Sequence, residues 1–292
     1  MSLEHLKGSV REAALLTPQE RIEFIRKDRW IGYAAAKDIL SKVQDLVNHP
    51  RNLRMPCRLI VGDPDNGKTM LLQECMRRHP KAVSESDETR LPVLVFETPP
   101  DADEGRLYSA ILTAMRIAHR EDAPPEKLLS KVIDGVESLG VCVLMADELH
   151  NMLHGSPASQ RQFLASLKSL LNLLRRPLVA AGTRDAVRAL ATDTQFVTRF
   201  EQLALPRWGV NMEARRLLAS IEQMMPLAEP SNLAGKELGE TIILGGGGTI
   251  GGIVKLAKKS AIAAIKSGAE RVTRKIVDEA LAEIRSRTVD AK

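Results

Sequence analysis

Eight consecutive residues constrain this chain more than any other feature of it. Gly62-Asp63-Pro64-Asp65-Asn66-Gly67-Lys68-Thr69 fits the pattern GxxxxGKS/T. The apolar run 58–61 leads into it, and a stretch with helical periodicity, 68–79, leads out. A strand, a glycine-bearing loop and a helix in that order leave the backbone few options. The glycines let consecutive N–H groups turn inward, and the start of the helix adds partial positive charge at the same point. A cradle of this kind takes phosphate oxygens. Gly62, Asp63, Pro64, Asp65, Asn66, Gly67, Lys68, Thr69 and Met70 are therefore the candidate phosphate-binding set. Within it, Lys68 reaches the β- and γ-phosphates of a nucleotide and the Thr69 hydroxyl ligates Mg²⁺.

Around the octet the chain alternates. Strand-like runs at 58–61, 92–96, 141–146, 177–181 and 202–205 are separated by helical stretches at 68–79, 105–119, 125–139 and 158–174. The alternation predicts an α/β core on a mainly parallel sheet with helices on both faces. Ahead of it, residues 1–55 read as a helical extension. Thr17-Pro18-Gln19-Glu20 has the composition of a capped helix start, 34–47 carries Ile39, Leu40, Val43, Leu46 and Val47 at helical spacing, and His49-Pro50 ends it. The core covers 56–206, and Pro206-Arg207-Trp208-Gly209 reads as a linker. Residues 207–292 show helical stretches at 213–224, 250–267 and 273–287 without a strand pattern, which predicts a smaller all-α domain.

Composition narrows the partners. Aromatics are 3% of the 292 residues, so the core rests on Leu, Ile, Val, Ala and Met, and a recognition surface of stacked rings is not expected. The 42 Lys and Arg against 37 Asp and Glu leave a formal +5, which permits a nucleic-acid partner without demanding one. Cys57, Cys75 and Cys142 stand far apart with no CxxC pair, so a zinc site or disulfide framework lacks support and a reducing compartment fits. Residues 1–10 lack the apolar core of a signal peptide, and the weakly polar run 241–254 is glycine-rich and too short to span a bilayer. A soluble, cytoplasmic protein with no membrane partner is expected.

The octet needs a counterpart, and Val141-Cys142-Val143-Leu144-Met145-Ala146-Asp147-Glu148 supplies one: an apolar run ending in two acids, where ligands gather in open α/β sheets. Asp147 can hold Mg²⁺ through water, and Glu148 can orient and polarise an attacking water. Two acids after a strand also commonly start a helix; joined to the octet they provide both halves of phosphoryl transfer. The next strand ends in Gly182-Thr183. Thr183 suits either contact with a γ-phosphate or an N-cap for the helix 184–190. Arg199, just before the last strand, suits either a transition-state contact in a neighbouring subunit or a solvated surface charge. His150 and His154 stand four apart beside Glu148 with no evident third metal ligand.

The ordered set of GKT loop, strand-terminal Asp-Glu, polar strand end, Arg-Phe pair and helical tail resembles the AAA+ ATPases. More narrowly, the chain is similar to the TniB/TnsC group of ATP-dependent transposition regulators. The residues that carry the similarity are Asp28-Arg29-Trp30-Ile31-Gly32-Tyr33, His49-Pro50-Arg51, Leu59-Ile60-Val61-Gly62 with Asn66-Gly67-Lys68-Thr69, Ala146-Asp147-Glu148-Leu149-His150-Asn151, Val179-Ala180-Ala181-Gly182-Thr183-Arg184-Asp185-Ala186 and Gly247-Gly248-Thr249-Ile250-Gly251. The resemblance implies an AAA+ P-loop NTPase core with a parallel sheet in the order 5-1-4-3-2 and a small C-terminal α-helical lid. It implies ATP with Mg²⁺ at Lys68 and Thr69, Asp147 and Glu148 as the acidic pair, Thr183 as first sensor, Arg199 as an arginine finger in trans, and Trp30, Ile31 and Tyr33 near the adenine. It implies a homo-oligomer, ring or helical filament, on duplex DNA, with a DDE transposase of the TniA/TnsB kind and a TniQ-like targeting protein as partners.

One departure stands out. Many AAA+ lids place an arginine where Gly251 stands here, and Lys255 and Lys258 lie one and two turns on. DNA contacts are expected at Arg106, Lys127 and Lys131, through the phosphate backbone. From Lys255 onward ten basic residues, Lys292 included, face five acids, Asp290 included: a partner surface or a solvated helix face. A helicase-loader-like or insertion-sequence helper, acting on a replicative helicase or single-stranded DNA, and a nucleotide sensor without turnover are the alternatives.

Overall fold

The computed structural model describes residues 3–83 and 89–289. Five short strands form one parallel sheet: β1 (Cys57–Val61), β2 (Val93–Glu97), β3 (Val143–Asp147), β4 (Leu178–Gly182) and β5 (Phe200–Ala204). Their order is β2-β3-β4-β1-β5, which read from the other edge is the expected 5-1-4-3-2. Every residue of β3 and β4 is buried, which is why both read as unbroken apolar runs rather than alternating ones. The register pairs Val61 with Gly182 and Glu97 with Asp147, and with Ala146 opposite Ala180 the carboxyl ends of these four strands fall within one residue of each other. Ala82–Val83 and Thr89–Arg90 add a separate antiparallel pair.

Helices Glu104–Met115, Pro125–Ser138 and Pro157–Leu174 contribute Leu107, Ile111, Leu112, Val132, Val136, Leu167 and Leu171 to the sheet's core. The sequence places β2, β3 and β4 correctly but ends each one residue early. The last residue of each, Glu97, Asp147 and Gly182, belongs to the ladder or its end and is not an apolar side chain. Apolarity therefore marks the strands less well than hydrogen bonding does.

The chain divides into two units, Ala34–Pro206 and a second that joins Met1–Tyr33 to Arg207–Lys292. The expected extension 1–55 is thus split. Ala34–Val47 goes with the α/β unit, while the helix Pro18–Arg26 packs with the C-terminal helices. The reason is visible in its buried face: Ile22 and Ile25 join Leu217, Leu218, Ile253 and Leu256 in one core. The capping box at Thr17 and Glu20 forms as the sequence predicts. Arg21, on the same buried face, donates Nε to the Pro226 carbonyl at 2.9 Å and Nη1 to Glu270 Oε1 at 3.0 Å. Lys258 donates to the Lys27 carbonyl at 3.0 Å and pairs with Asp28 at 3.3 Å.

The C-terminal unit holds Met212–Glu222, Ile250–Lys266 and Arg274–Val289, close to the three expected helices. A further helix, Lys236–Gly245, runs into the glycine tract and buries Ile242 and Ile243. The glycines there serve a close crossing of backbones. A Cβ on Gly252 would stand 2.1 Å from the Gly246 carbonyl oxygen, so no side chain fits between the two helices. Lys292 and Asp290 lie outside the described residues. Among the described residues no helix is long and apolar enough to cross a membrane.

The Arg21–Glu270 pair ties two distant parts of the helical unit. The guanidinium holds the Glu270 carboxyl below its ordinary value. A carboxyl lowered on folding stabilises the fold above its unfolded pKa and loses that contribution as pH falls through the folded value. Glu270→Gln therefore lowers the Tm at neutral pH, and its deficit relative to the unsubstituted protein shrinks below about pH 4; thermal denaturation at pH 7 and pH 3.5 checks this.

Candidate functional site

The octet forms the turn that its glycines allow. Gly67 has φ 82°, in the left-handed region, and serves as N-cap of the helix Lys68–Arg78; Asp65 also lies there, at φ 59°. Gly62 N–H donates to the Gly182 carbonyl at 3.2 Å, which joins the loop's start to the end of β4. The buried Asn66 side chain donates to the Pro206 carbonyl at 3.0 Å and pins the loop to the chain leaving β5.

Lys68 is buried, and its Nζ donates to the Gly62 and Asp63 carbonyls at 3.2 and 3.0 Å. Among the described residues no carboxylate stands in ion-pair range of it. A buried ammonium held only by carbonyls retains its full attraction for an anion.

Asp147 closes β3, buried, with Oδ1 accepting the Glu148 N–H at 2.9 Å. Glu148 then takes φ 51° and ψ 41°, a left-handed conformation that costs an ordinary residue about 1–3 kcal/mol, and starts the 3-10 turn Leu149–Leu153. That turn swings its carboxylate out of line with the strand and into the same cavity as the octet. His150 follows, with Nδ1 3.1 Å from Glu148 Oε2 but not aligned for a hydrogen bond.

Thr183 stands at the N-cap of Arg184–Leu190 with extended backbone, yet its hydroxyl caps nothing. Its Oγ1 is buried without a hydrogen-bond partner. Of the two readings that the sequence left open for Thr183, the N-cap applies to its backbone alone. A cavity of about 330 Å³ gathers residues 64–70 with Glu148, His150 and Thr183. Three segments spread along residues 64–183 thus converge on one volume beside the ends of β1, β3 and β4. His150, which the sequence offered only as a weak metal ligand, is the lining residue that sequence reasoning missed.

Of the other expected residues in the same unit, Arg199, Arg106, Lys127 and Lys131 do not line this cavity. Arg199 stands where β5 begins, its carbonyl accepting the Cys57 N–H at 3.2 Å at the start of β1. The phosphate loop leaves the other end of β1, roughly 17 Å of strand away, so Arg199 cannot serve the cavity of its own chain. Ile31 and Tyr33 pack against the core of the helical unit, and Tyr33 meets Trp208 edge-on with ring centroids 5.1 Å apart. Burial pushes the Tyr33 phenol up to about 12. Trp30 is half-buried beside them in sequence.

Arg106 pairs with Asp101 while its backbone N–H donates to the Asp103 cap at 2.8 Å. Lys127 is exposed, and Lys131 Nζ donates to the Ala118 carbonyl at 3.1 Å. Lys258 is engaged within its own unit, as above, and Lys255 is exposed.

The family described as bacterial TniB protein matches residues 21–210. Among solved structures, the ORC2 protein of Aeropyrum pernix, in ADPNP–ADP complexes, superposes with a TM-score of 0.63 at 16% identity, covering 89% of this chain and 71% of that one. Cdc6p of Pyrobaculum aerophilum gives 0.62 at 16% identity over 88% and 69%. The ORC1 protein of A. pernix, in complex with DNA, gives 0.57 at 17% identity over 90% and 69%. These likenesses are of fold. No curated protein matches the chain.

The unpaired hydroxyl of Thr183 yields a test independent of any ligand. A buried hydroxyl without a partner costs about 1–3 kcal/mol, and valine has nearly the same shape. Thr183→Val leaves the Tm of the nucleotide-free protein unchanged or raises it; a clear fall would mean that the hydroxyl is satisfied within the fold.

Proposed function

The chain belongs to the bacterial TniB family, and on that footing we propose that it is an ATP-hydrolysing AAA+ regulator of DNA transposition. It assembles on duplex DNA when ATP is bound, recruits and activates a DDE transposase of the TniA/TnsB kind, helps choose the target with a TniQ-like protein, and disassembles as ATP is hydrolysed. The observation that carries the ATPase reading is the convergence of the phosphate loop, Glu148 and the unsatisfied Thr183 hydroxyl on one cavity.

The geometry supports the following roles. Lys68 Nζ exchanges its two carbonyls for the β- and γ-phosphate oxygens of ATP, and the Gly67 turn directs backbone N–H groups at the same oxygens. Thr69 and, through water, Asp147 would hold Mg²⁺, which supplies charge neutralisation across those phosphates. The Glu148 carboxylate accepts a proton from the water that attacks the γ-phosphorus. As that bond forms, the bond from phosphorus to the bridging oxygen breaks and ADP leaves with the electron pair. Thr183 Oγ1 donates to a γ-phosphate oxygen, which satisfies the hydroxyl only when nucleotide is present. Arg199 acts on the next subunit's phosphate, consistent with its place at the far end of its own sheet.

Arg106, Lys127 and Lys131 contact the DNA backbone, which makes binding tolerant of sequence and sensitive to salt. Assembly follows nucleotide because the two nucleotide states differ in affinity for the assembled form.

Two substitutions test this reading in one assay. Lys68→Ala loses ATP-dependent assembly on duplex DNA. Glu148→Gln keeps ATP-dependent assembly while turnover falls by about 10²–10³. Sedimentation on DNA with a phosphate-release measurement reads both. Undiminished assembly by Lys68→Ala, or undiminished turnover by Glu148→Gln, overturns the proposal.

A further inference from the structure

The edge of the sheet opposite the phosphate loop carries a second concave site. Here the segment entering β1 and the segment entering β5 run side by side. A cavity of about 450 Å³ opens beside them, and its lining includes Arg54, Lys168, Asn172 and Arg199 but no acid. Both arginines are fixed by neutral partners. Arg199 Nη2 donates to Asn172 Oδ1 at 2.7 Å, and its Nε is buried without a hydrogen-bond partner. Arg54 Nη2 donates to Thr198 Oγ1 at 2.8 Å, and that hydroxyl donates to the Gln195 carbonyl at 3.1 Å. Among the described residues neither guanidinium pairs with a carboxylate, whereas nearby Arg58 pairs with Glu201 and Lys168 with Asp193.

Two planar, permanently charged forks held in place and left without counter-charge are a seat for an anion. The complementary face lies on the same molecule, at the other end of the sheet. Asp65 of the phosphate loop is exposed and makes no ion pair among the described residues, and the loop cradles a polyanion when nucleotide binds. A basic seat at one end of a parallel sheet and an acidic loop at the other are the two halves of a heterologous, head-to-tail contact between copies.

Resting on the ATPase reading above, we infer that Arg54 acts in trans beside Arg199: the pair on one copy receives the phosphate loop and triphosphate of a second copy, and Arg54 positions Arg199 there. Duplex DNA is the other polyanion that could meet this face. A concave seat of about 450 Å³, whose neighbouring acids Glu201 and Asp193 are engaged by Arg58 and Lys168, suits a loop entering end-on better than a continuous phosphodiester chain.

Mixing two inactive variants tests the inference. Arg54→Ala retains binding of a fluorescent ATP analogue, since its own phosphate loop is intact, while turnover on duplex DNA falls at least tenfold. Lys68→Ala is also inactive but keeps an intact basic seat. In an equal mixture, the good loop of Arg54→Ala meets the good seat of Lys68→Ala, and turnover recovers several-fold above that of either variant alone.

A mixture that stays inactive, or an Arg54→Ala variant with full turnover, overturns the inference. So does an Arg54→Ala variant that loses DNA binding without nucleotide and is not rescued, which would assign the face to DNA. An unsubstituted protein with no ATP turnover would instead end the ATPase reading, and the two failures are distinct.

Discussion

The parallel register of β1 against β4, and of β4 against β3, is the constraint on which the site depends. With Val61 opposite Gly182, and with Ala146 level with Ala180, three strands finish within one residue of a common height. Whatever residue follows each strand is delivered to the same edge. Gly62 follows β1, Glu148 follows β3 and Thr183 follows β4. A shift of one residue in any pairing would turn that strand's side chains over and move its terminal residue by about 3.3 Å, beyond the reach of a hydrogen bond. The complete burial of β3 and β4 protects the register, because a slipped strand would leave its apolar residues mismatched with both helical layers.

Upon that edge the chain holds several arrangements that cost free energy in the absence of a ligand. Glu148 and Asp65 occupy left-handed backbone, the Thr183 hydroxyl is buried unpaired, and the Lys68 ammonium is buried with carbonyls alone. The triphosphate proposed above would supply acceptors to the hydroxyl and the ammonium, while the backbone strain at Glu148 and Asp65 would remain. Concentration of strain and unsatisfied polarity at one place is what distinguishes a prepared site from a loop that merely has the right letters.

Much of this was legible in the sequence because the determinants are local. The octet specifies strand, turn and helix within about a dozen residues, and the capping box at Thr17 forms from four adjacent ones. The strand order was not local, and it came through the resemblance. Three things escaped for identifiable reasons. The fate of Thr183 depends on where its hydroxyl points, which its position at an N-cap does not fix. The division of the first 55 residues depends on which core Ile22 and Ile25 join, and an amphipathic pattern does not name its partner. The helix Lys236–Gly245 was masked by the glycines around it, whose purpose is the close crossing at Gly246 and Gly252 and not a flexible loop.

A parallel sheet is also polar, and that polarity bears on assembly. Its carboxyl edge gathers the phosphate loop and its acids; its amino edge gathers Arg54, Arg58 and Arg199. Even the Cys57 thiol registers that amino edge: burial raises it while the same three arginines oppose the shift. Because all five strands point the same way, one fold cannot bring the two edges together, since the length of β1 lies between them. The positive edge can meet a triphosphate only on another copy, through an interface whose two sides differ. Such an interface repeats without limit unless its rotation closes a ring. A nucleotide seated in it would therefore couple the chemistry of a single site to the length of an entire array.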